Sequence, residues 1–330
     1  MRIAICFLLG TVGLWAQPKV TAVAQGADFS TTLAPGTLAT VFGTGFAASP
    51  VSASAVPLST TLGNVSVNVN GRPVPLTFAN STQINFQLPY GIASGTASLT
   101  VTNNGLVSNA FSFSAAAYAP GIFQYGANHG VIQNQDYTLN GPANKAAAGS
   151  YVIVYLTGIG TTNPTVADGN IAPSTTLSIP LSTATATIAG VKATVAFIGL
   201  TPGNVGLAQA NIQIPPLVSD GDYPLVLQLG GAVTKPVLIS ARATKGADLP
   251  VGATCLSGPV ESITFSLQYK TTGLADEVIL DGTTLCAKCP VKPPIYPEFA
   301  AKLEEARSSG INVDACYDAA SSIYLLRMRP

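Results

Sequence analysis

The sequence predicts a mainly β protein: two similar β-sandwiches in tandem, followed by a small α+β domain. Three observations predict it: a composition poor in charge, a long internal repeat, and short alternating segments separated by turn residues. Charged residues make up 9% of the 330 and apolar residues 47%, against about 25% charge in an average soluble protein. Thr, Ser, Gly, Asn and Pro fill the difference, which suits short strands and many turns. It does not suit long amphipathic helices, which need a charged wet face. Fifteen Lys and Arg balance fifteen Asp and Glu, and no basic cluster points to nucleic acid.

An internal repeat sets the domain count. Gln83-Ile-Asn-Phe-Gln-Leu-Pro89 recurs as Gln209-Ala-Asn-Ile-Gln-Ile-Pro215. Gly95 and Gly105 recur as Gly221 and Gly231 at the same offset, and Gly36 to Gly45 recurs with substitutions as Gly149 to Gly158. The offsets change between blocks while their order holds, as expected of a duplicated domain with loops of different length. Each copy is near the ~100 residues of an immunoglobulin-like sandwich. The expected boundaries are 1–24 for a signal peptide and leader, 25–118 and 125–244 for the sandwiches, 119–124 for a short stiff linker, and 245–330 for the last domain.

Within the copies the signals are those of strands. Val65, Val67 and Val69 alternate with polar residues, Asn70-Gly71 follows, and Val74, Leu76 and Phe78 alternate again. Asn-Gly is a favoured two-residue hairpin turn because both positions tolerate positive φ. Ala189-Gly190 takes that place in the second copy, and Asn104-Gly105 and Gly230-Gly231 form a second equivalent pair. The linker segment Tyr118-Ala-Pro-Gly-Ile-Phe123 bends at Pro120-Gly121 and offers Ile122 and Phe123 for packing.

The run from Ala34 to Phe46, with Pro35-Gly36 and Phe42-Gly43-Thr44, resembles the opening strand of IPT/TIG immunoglobulin-like domains. Residues 25–241 as a whole resemble the Solibacter-type C-terminal domain family of exported acidobacterial proteins. The residues that carry this are Gly63 with Val65 to Gly71, Gln83-Ile84-Asn85, Ala119 to Phe123, Thr157-Gly-Ile-Gly160, and Val205 to Gln209 with Asn211 and Pro215. The resemblance implies an exported protein of immunoglobulin-like fold. It implies no activity, so no catalytic residue is carried over. The chain departs from the family's habit by continuing past the matching segment.

Residues 1–16 read as a signal peptide, with Arg2 ahead of an apolar run from Ile3 to Trp15 too short for a comfortable membrane span. Cleavage after Ala16 or after Ala24 fits, and an uncleaved anchor is the alternative. A secreted location, extracellular or periplasmic, follows. Cys255, Cys286, Cys289 and Cys316 then remain, and an even count in an oxidising compartment suggests disulfides.

Residues suited to chemistry are sparse in the sequence. His129, the single histidine, lies in a Gly- and Asn-rich stretch and reads as a solvated loop residue. Asp168-Gly169-Asn170 and Asp220-Gly221-Asp222 read as turns, with a calcium site as the alternative. No catalytic residue, metal ligand set or cofactor is assigned. Gln83, Asn85 and Gln87, repeated as Gln209, Asn211 and Gln213, alternate with apolar residues, so strand geometry places the amides on the face opposite the core. Such a face is solvated, or its amides bond nearby loops, or it forms a ladder for sugar hydroxyls. A sugar site needs a stacking aromatic, and Tyr90 and Tyr118 are the nearest in sequence.

In the last domain, Ile263 to Tyr269 and Ile323 to Leu326 read as strands, Asp281-Gly282 as a hairpin turn, and the run after Pro297 up to Gly310 as a helix. Cys286-Ala-Lys-Cys289 admits structural disulfides, a four-thiolate zinc site with Cys255 and Cys316, or a redox pair. The prolines that follow remove the helix a redox site needs. Pairing of Cys255 with Cys316, and Cys286 with Cys289, is preferred among three connectivities. The expected function is a non-catalytic exported structural, adhesive or binding protein. Its partner would be a cell-wall or extracellular polysaccharide or another surface protein. The alternatives are carbohydrate binding by the sandwich faces and a thiol redox or hydrolytic role for the last domain.

Overall fold

Among the described residues, the alternation read along the chain folds as strands. A computed structural model describes residues 17–215 and 220–242, and beyond them the strands Thr254–Thr264, Leu274–Leu280, Thr283–Pro290, Asn312–Tyr317 and Ile323–Met328. The segment 1–16, expected as a signal peptide, and the helix expected after Pro297 lie outside the described residues. Among the described residues there is no helix.

The first copy forms two sheets. One runs Lys19–Gln25, Leu38–Thr44, Gln83–Gln87, Leu76–Ala79, Val51–Ser52. The other runs Thr32–Leu33, Phe111–Ala115, Gly95–Asn103, Val65–Val69, Thr61–Leu62. Period-two geometry sends Val41, Leu76, Ile84 and Phe86 from the first sheet and Val65, Val67, Leu99, Val101 and Phe113 from the second into one shared core. Each of these is at most 6% exposed, so the two sheets seal an apolar layer as a sandwich does.

The second copy repeats this order. Tyr151–Thr157, Ala208–Gln213 and Val195–Leu200 lie side by side, as do Leu38–Thr44, Gln83–Gln87 and Leu76–Ala79 in the first. Val237–Arg242, Gly221–Leu229 and Ala184–Ile188 match Phe111–Ala115, Gly95–Asn103 and Val65–Val69. The parallel edge pairing also recurs: Thr32 opposite Ser114 in the first copy, Ala146 opposite Ala241 in the second. All four expected hairpin turns carry positive φ at both central residues, from 48° at Asn104 to 88° at Gly231, which is the twist that adjacent strands require.

By contact density the chain divides into two compact units. The first holds residues up to Gly121 together with Thr157–Leu181 and Gly199–Ala208; the second holds Ile122–Leu156, Ser182–Ile198 and the residues from Gln209 onward. Gly121–Ile122, within the segment expected as a linker, is a strand beside Tyr151–Thr157. The C-terminal strands form one antiparallel sheet in the order Thr283–Pro290, Leu274–Leu280, Thr254–Thr264, Asn312–Tyr317, Ile323–Met328. Leu280 stands opposite Thr283, and Cys255 opposite Cys316, in the register.

Candidate functional site

In the first unit the amide stripe does two different things. Gln83 and Asn85 are half-buried, and Gln83 Nε2 donates to Asn85 Oδ1 at 2.7 Å. Thr40 Oγ1 donates to the same oxygen at 3.0 Å. Gln87 takes the loop-bonding alternative and not the solvated one: it is fully buried, and its Oε1 accepts the Gly169 N–H at 2.6 Å. The cover is the turn Ala167–Asn170, in which Asn170 N donates to Ala167 O at 3.1 Å and Gly169 holds φ +77°. Positive φ at that third position is the reason for glycine there.

The same turn explains Asp168, whose Oδ1 accepts the Tyr90 N–H at 2.8 Å. The Asp-Gly-Asn triplet is therefore a docked turn within this unit. Tyr90, weighed as a stacking aromatic, is only 9% exposed, with its ring against Gly36. Burial holds its phenol well above the ordinary tyrosine range; the nearby Asp168 carboxylate adds to this and the Gln87 amide partly offsets it. The Tyr90 hydroxyl and Gln87 Nε2 are both buried without a completed hydrogen bond.

In the second unit Gln209 Nε2 donates to Asn211 Oδ1 at 3.4 Å, repeating the first copy's pair, and Gln213 Nε2 donates to Gly149 O at 3.0 Å. Here the outer face of the sheet bears more than amides. A groove of about 230 Å³ is lined by Asn134, Gln135, Tyr137, Tyr151, Val152, Ile153, Ala196 and Asn211. Tyr137 is 76% exposed and Tyr151 42%. Sequence reasoning missed both tyrosines: neither is near the amide stripe in sequence, and Tyr137 sits in a loop without periodicity.

A second groove, about 330 Å³, gathers charge: Asp136, Lys145, Asp220 and Arg242 with Asn144 and Thr138. The Thr138 hydroxyl and backbone N–H both donate to Asp136 and hold its carboxyl below the ordinary range. Lys145 Nζ stands 4.0 Å from Asp220 Oδ2.

His129 is not the solvated loop residue expected. It lies on the strand His129–Gly130 with its side chain 12% exposed, its Nε2 3.6 Å from Asp222 Oδ2. The Ser240 hydroxyl donates to the other Asp222 oxygen. This places a carboxylate between serine and histidine, whereas nucleophilic catalysis needs histidine between the other two. Among the described residues, no group of three or more His, Cys, Asp or Glu is placed to hold a metal, and no helix is long and apolar enough to cross a membrane.

The sheets, their shared core and the two-residue turns define an immunoglobulin-like β-sandwich. Residues 27–116 match the model of the IPT/TIG domain. No curated protein matches the chain. Among solved structures it is similar to the Bacteroides ovatus mixed-linkage glucan utilization locus protein SGBP-B, in complex with a mixed-linkage heptasaccharide, at 13% identity and TM-score 0.31, over 74% of this chain and 49% of that one. It is also similar to the Escherichia coli adhesin FdeC, at 12% identity and TM-score 0.23, over 75% and 73% of the two chains. Domains 5-6 of the S-layer protein SbsC align over 69% of this chain and all of theirs, at 15% identity and TM-score 0.24. The chain spans about half the length of the first of these.

Proposed function

We propose that this is a non-catalytic exported protein whose two tandem immunoglobulin-like sandwiches serve as adhesive or binding modules at a bacterial surface or in the extracellular space. The observation that carries the reading is the use made of polar side chains. Gln87, Asp168, Asp222 and Ser240 are held in hydrogen bonds that build the fold, while the uncharged pairs Gln83–Asn85 and Gln209–Asn211 recur at equivalent places on two sheets. Polar faces of that kind recognise by hydrogen bonding and not by proton transfer. The IPT/TIG match over 27–116 supports the same class. The partner is an extracellular polysaccharide or another surface protein.

The test is retention of the mature protein on the cell-wall and matrix fraction of its source bacterium. Retention above that of an unrelated sandwich protein is the expected result. Failure to bind, together with reducible, reactive thiols under native conditions, would move the assignment to a thiol enzyme.

The cysteines belong to the same reading. Cys255 and Cys316 are register partners on neighbouring antiparallel strands, where Cα atoms lie about 4.5–5.5 Å apart, within disulfide range. Cys286 and Cys289 share one strand, and three residues of extended chain separate their Cα atoms by about 10 Å, beyond the ~7 Å a disulfide spans. A Cys255–Cys316 bridge is the expected product of export. Peptide mapping without reductant should recover that linked pair; a linked Cys286–Cys289 peptide in its place would refute the assignment.

A further inference from the structure

The groove beside Asn211 is lined by tyrosines, neutral amides and small apolar residues. Two exposed tyrosines flank it, amides from Gln135 and Asn211 enter it, and none of its lining residues is charged. The backbone sets this up. Ile132–Gln133 pairs antiparallel with the strand Tyr151–Thr157, with Gln133 opposite Ile153. Continuing that register by two residues brings Gln135 to the level of Tyr151. The chain then turns back, Tyr137 N donating to Asn134 O at 2.9 Å and Gln133 Nε2 to Tyr137 O at 3.1 Å.

Tyr137 pays a conformational penalty to stand there. Its φ is +66°, a region costing a non-glycine residue roughly 1–2 kcal/mol. The turn is held by Asn134, 7% exposed, whose Nδ2 donates to Asn144 O at 2.8 Å and Thr138 Oγ1 at 3.1 Å, and whose Oδ1 accepts from Asn140 at 2.9 Å. A buried polar network thus fixes a strained, solvent-facing aromatic ring, which is backbone strain of the sort that accompanies binding surfaces. On the sheet side, Asn211 Oδ1 receives only the long Gln209 bond, and its Nδ2 has no hydrogen-bond partner among the described residues.

We infer that this groove binds an uncharged pyranose unit of a polysaccharide, the sugar's apolar face stacking on Tyr137 or Tyr151 and its hydroxyls bonding the Asn211 and Gln135 amides. A pyranose presents one flat C–H face and a rim of hydroxyls, which matches aromatic faces beside neutral amides. The volume of about 230 Å³ falls below the ~300 Å³ where drug-sized pockets begin, so it takes one ring of a chain that continues along the open sheet face. An acidic sugar would lose the hydration of its carboxylate without gaining a cation from the lining. The inference rests on the binding-module reading and narrows it to one ligand class and one place.

Affinity electrophoresis of the full mature chain through gels containing dextran, hydroxyethyl cellulose, galactomannan or xylan tests it, with alginate as the acidic comparison. Retardation by at least one neutral polysaccharide is expected. Tyr137→Ala or Tyr151→Ala, whichever removes the stacking ring, should weaken that binding about tenfold, as loss of an aromatic anchor does, while Tyr151→Phe keeps its ring and should bind nearly as the parent. Thermal unfolding of each variant separates loss of binding from loss of fold, and Val107→Ala, an exposed position in the other unit, should bind as the parent. Retardation by alginate alone, by none of the gels, or equally for the parent and both alanine variants would overturn the inference. Retention on the matrix fraction in those cases would leave the broader binding function standing.

Discussion

Tyr90 concentrates what single residues contribute here. Its N–H is bonded by Asp168, its ring fills the space above Gly36, and its hydroxyl is buried without a completed bond. A buried hydroxyl lacking a partner is a cost, so Tyr90→Phe should leave stability at pH 7 unchanged or raised by up to about 1–3 kcal/mol in urea unfolding. The pH dependence has a definite sign. The folded state holds the phenol protonated beyond its ordinary range, whereas the unfolded chain releases that proton near pH 10. The stability owed to the neutral phenol is therefore complete below about pH 10 and declines as pH rises above it. Urea unfolding at pH 8 and at pH 11 should show a smaller alkaline loss for Tyr90→Phe than for the parent; equal losses would refute the assignment. Asp168→Ala should cost about 1–3 kcal/mol at neutral pH by stranding the Tyr90 N–H, read from the same titration.

At the scale of elements, the turns separate backbone strain from packing. Gly71 and Gly36 have nearly equal φ, +78° and +76°, but an added Cβ at Gly71 meets nothing within 4 Å while at Gly36 it would sit 2.2 Å from the Tyr90 ring. Gly71→Ala should cost only the left-handed penalty of about 1–2 kcal/mol, and Gly36→Ala clearly more, measured side by side by denaturant unfolding. Elements of this local kind were legible in the sequence. The Asn70-Gly71 hairpin, its three counterparts and the inward placement of Ile84, Phe86 and Ile212 follow from residue type and period two alone. Gln87 was not legible, because its burial depends on Gly169, 82 residues away. His129 misled for the same reason: Gly and Asn neighbours signal a loop, but the residue pairs with Leu238 and faces Asp222 across more than ninety positions. Tyr137 carried no signal because a loop has no period, and its place in the groove comes from the turn that Asn134 holds.

For the whole molecule, the important feature is that the first compact unit is discontinuous in sequence. The IPT/TIG match ends at residue 116, yet the unit also takes Thr157–Leu181 and Gly199–Ala208. Those segments bond groups that would otherwise be exposed or stranded. Thr157 Oγ1 accepts the Leu38 N–H at 2.9 Å, Gly169 N caps Gln87, Asp168 caps Tyr90, and Gly169 O accepts the Leu58 N–H at 2.8 Å. Each is worth roughly 0.5–1.5 kcal/mol net, more where a buried partner is left unmet, against a total of about 5–15 kcal/mol for a domain. Residues 17–121 expressed alone keep the complete Val, Ile, Leu and Phe core between two sheets, so they should fold. They lack four of the bonds that close the unit, so they should unfold at a clearly lower urea concentration than the full chain, with faster amide exchange at Leu38, Leu58 and Tyr90. Exchange at those three amides equally slow in the fragment and the full chain would mean that the later segments add nothing, and the unit would have to be redrawn as residues 17–121 alone.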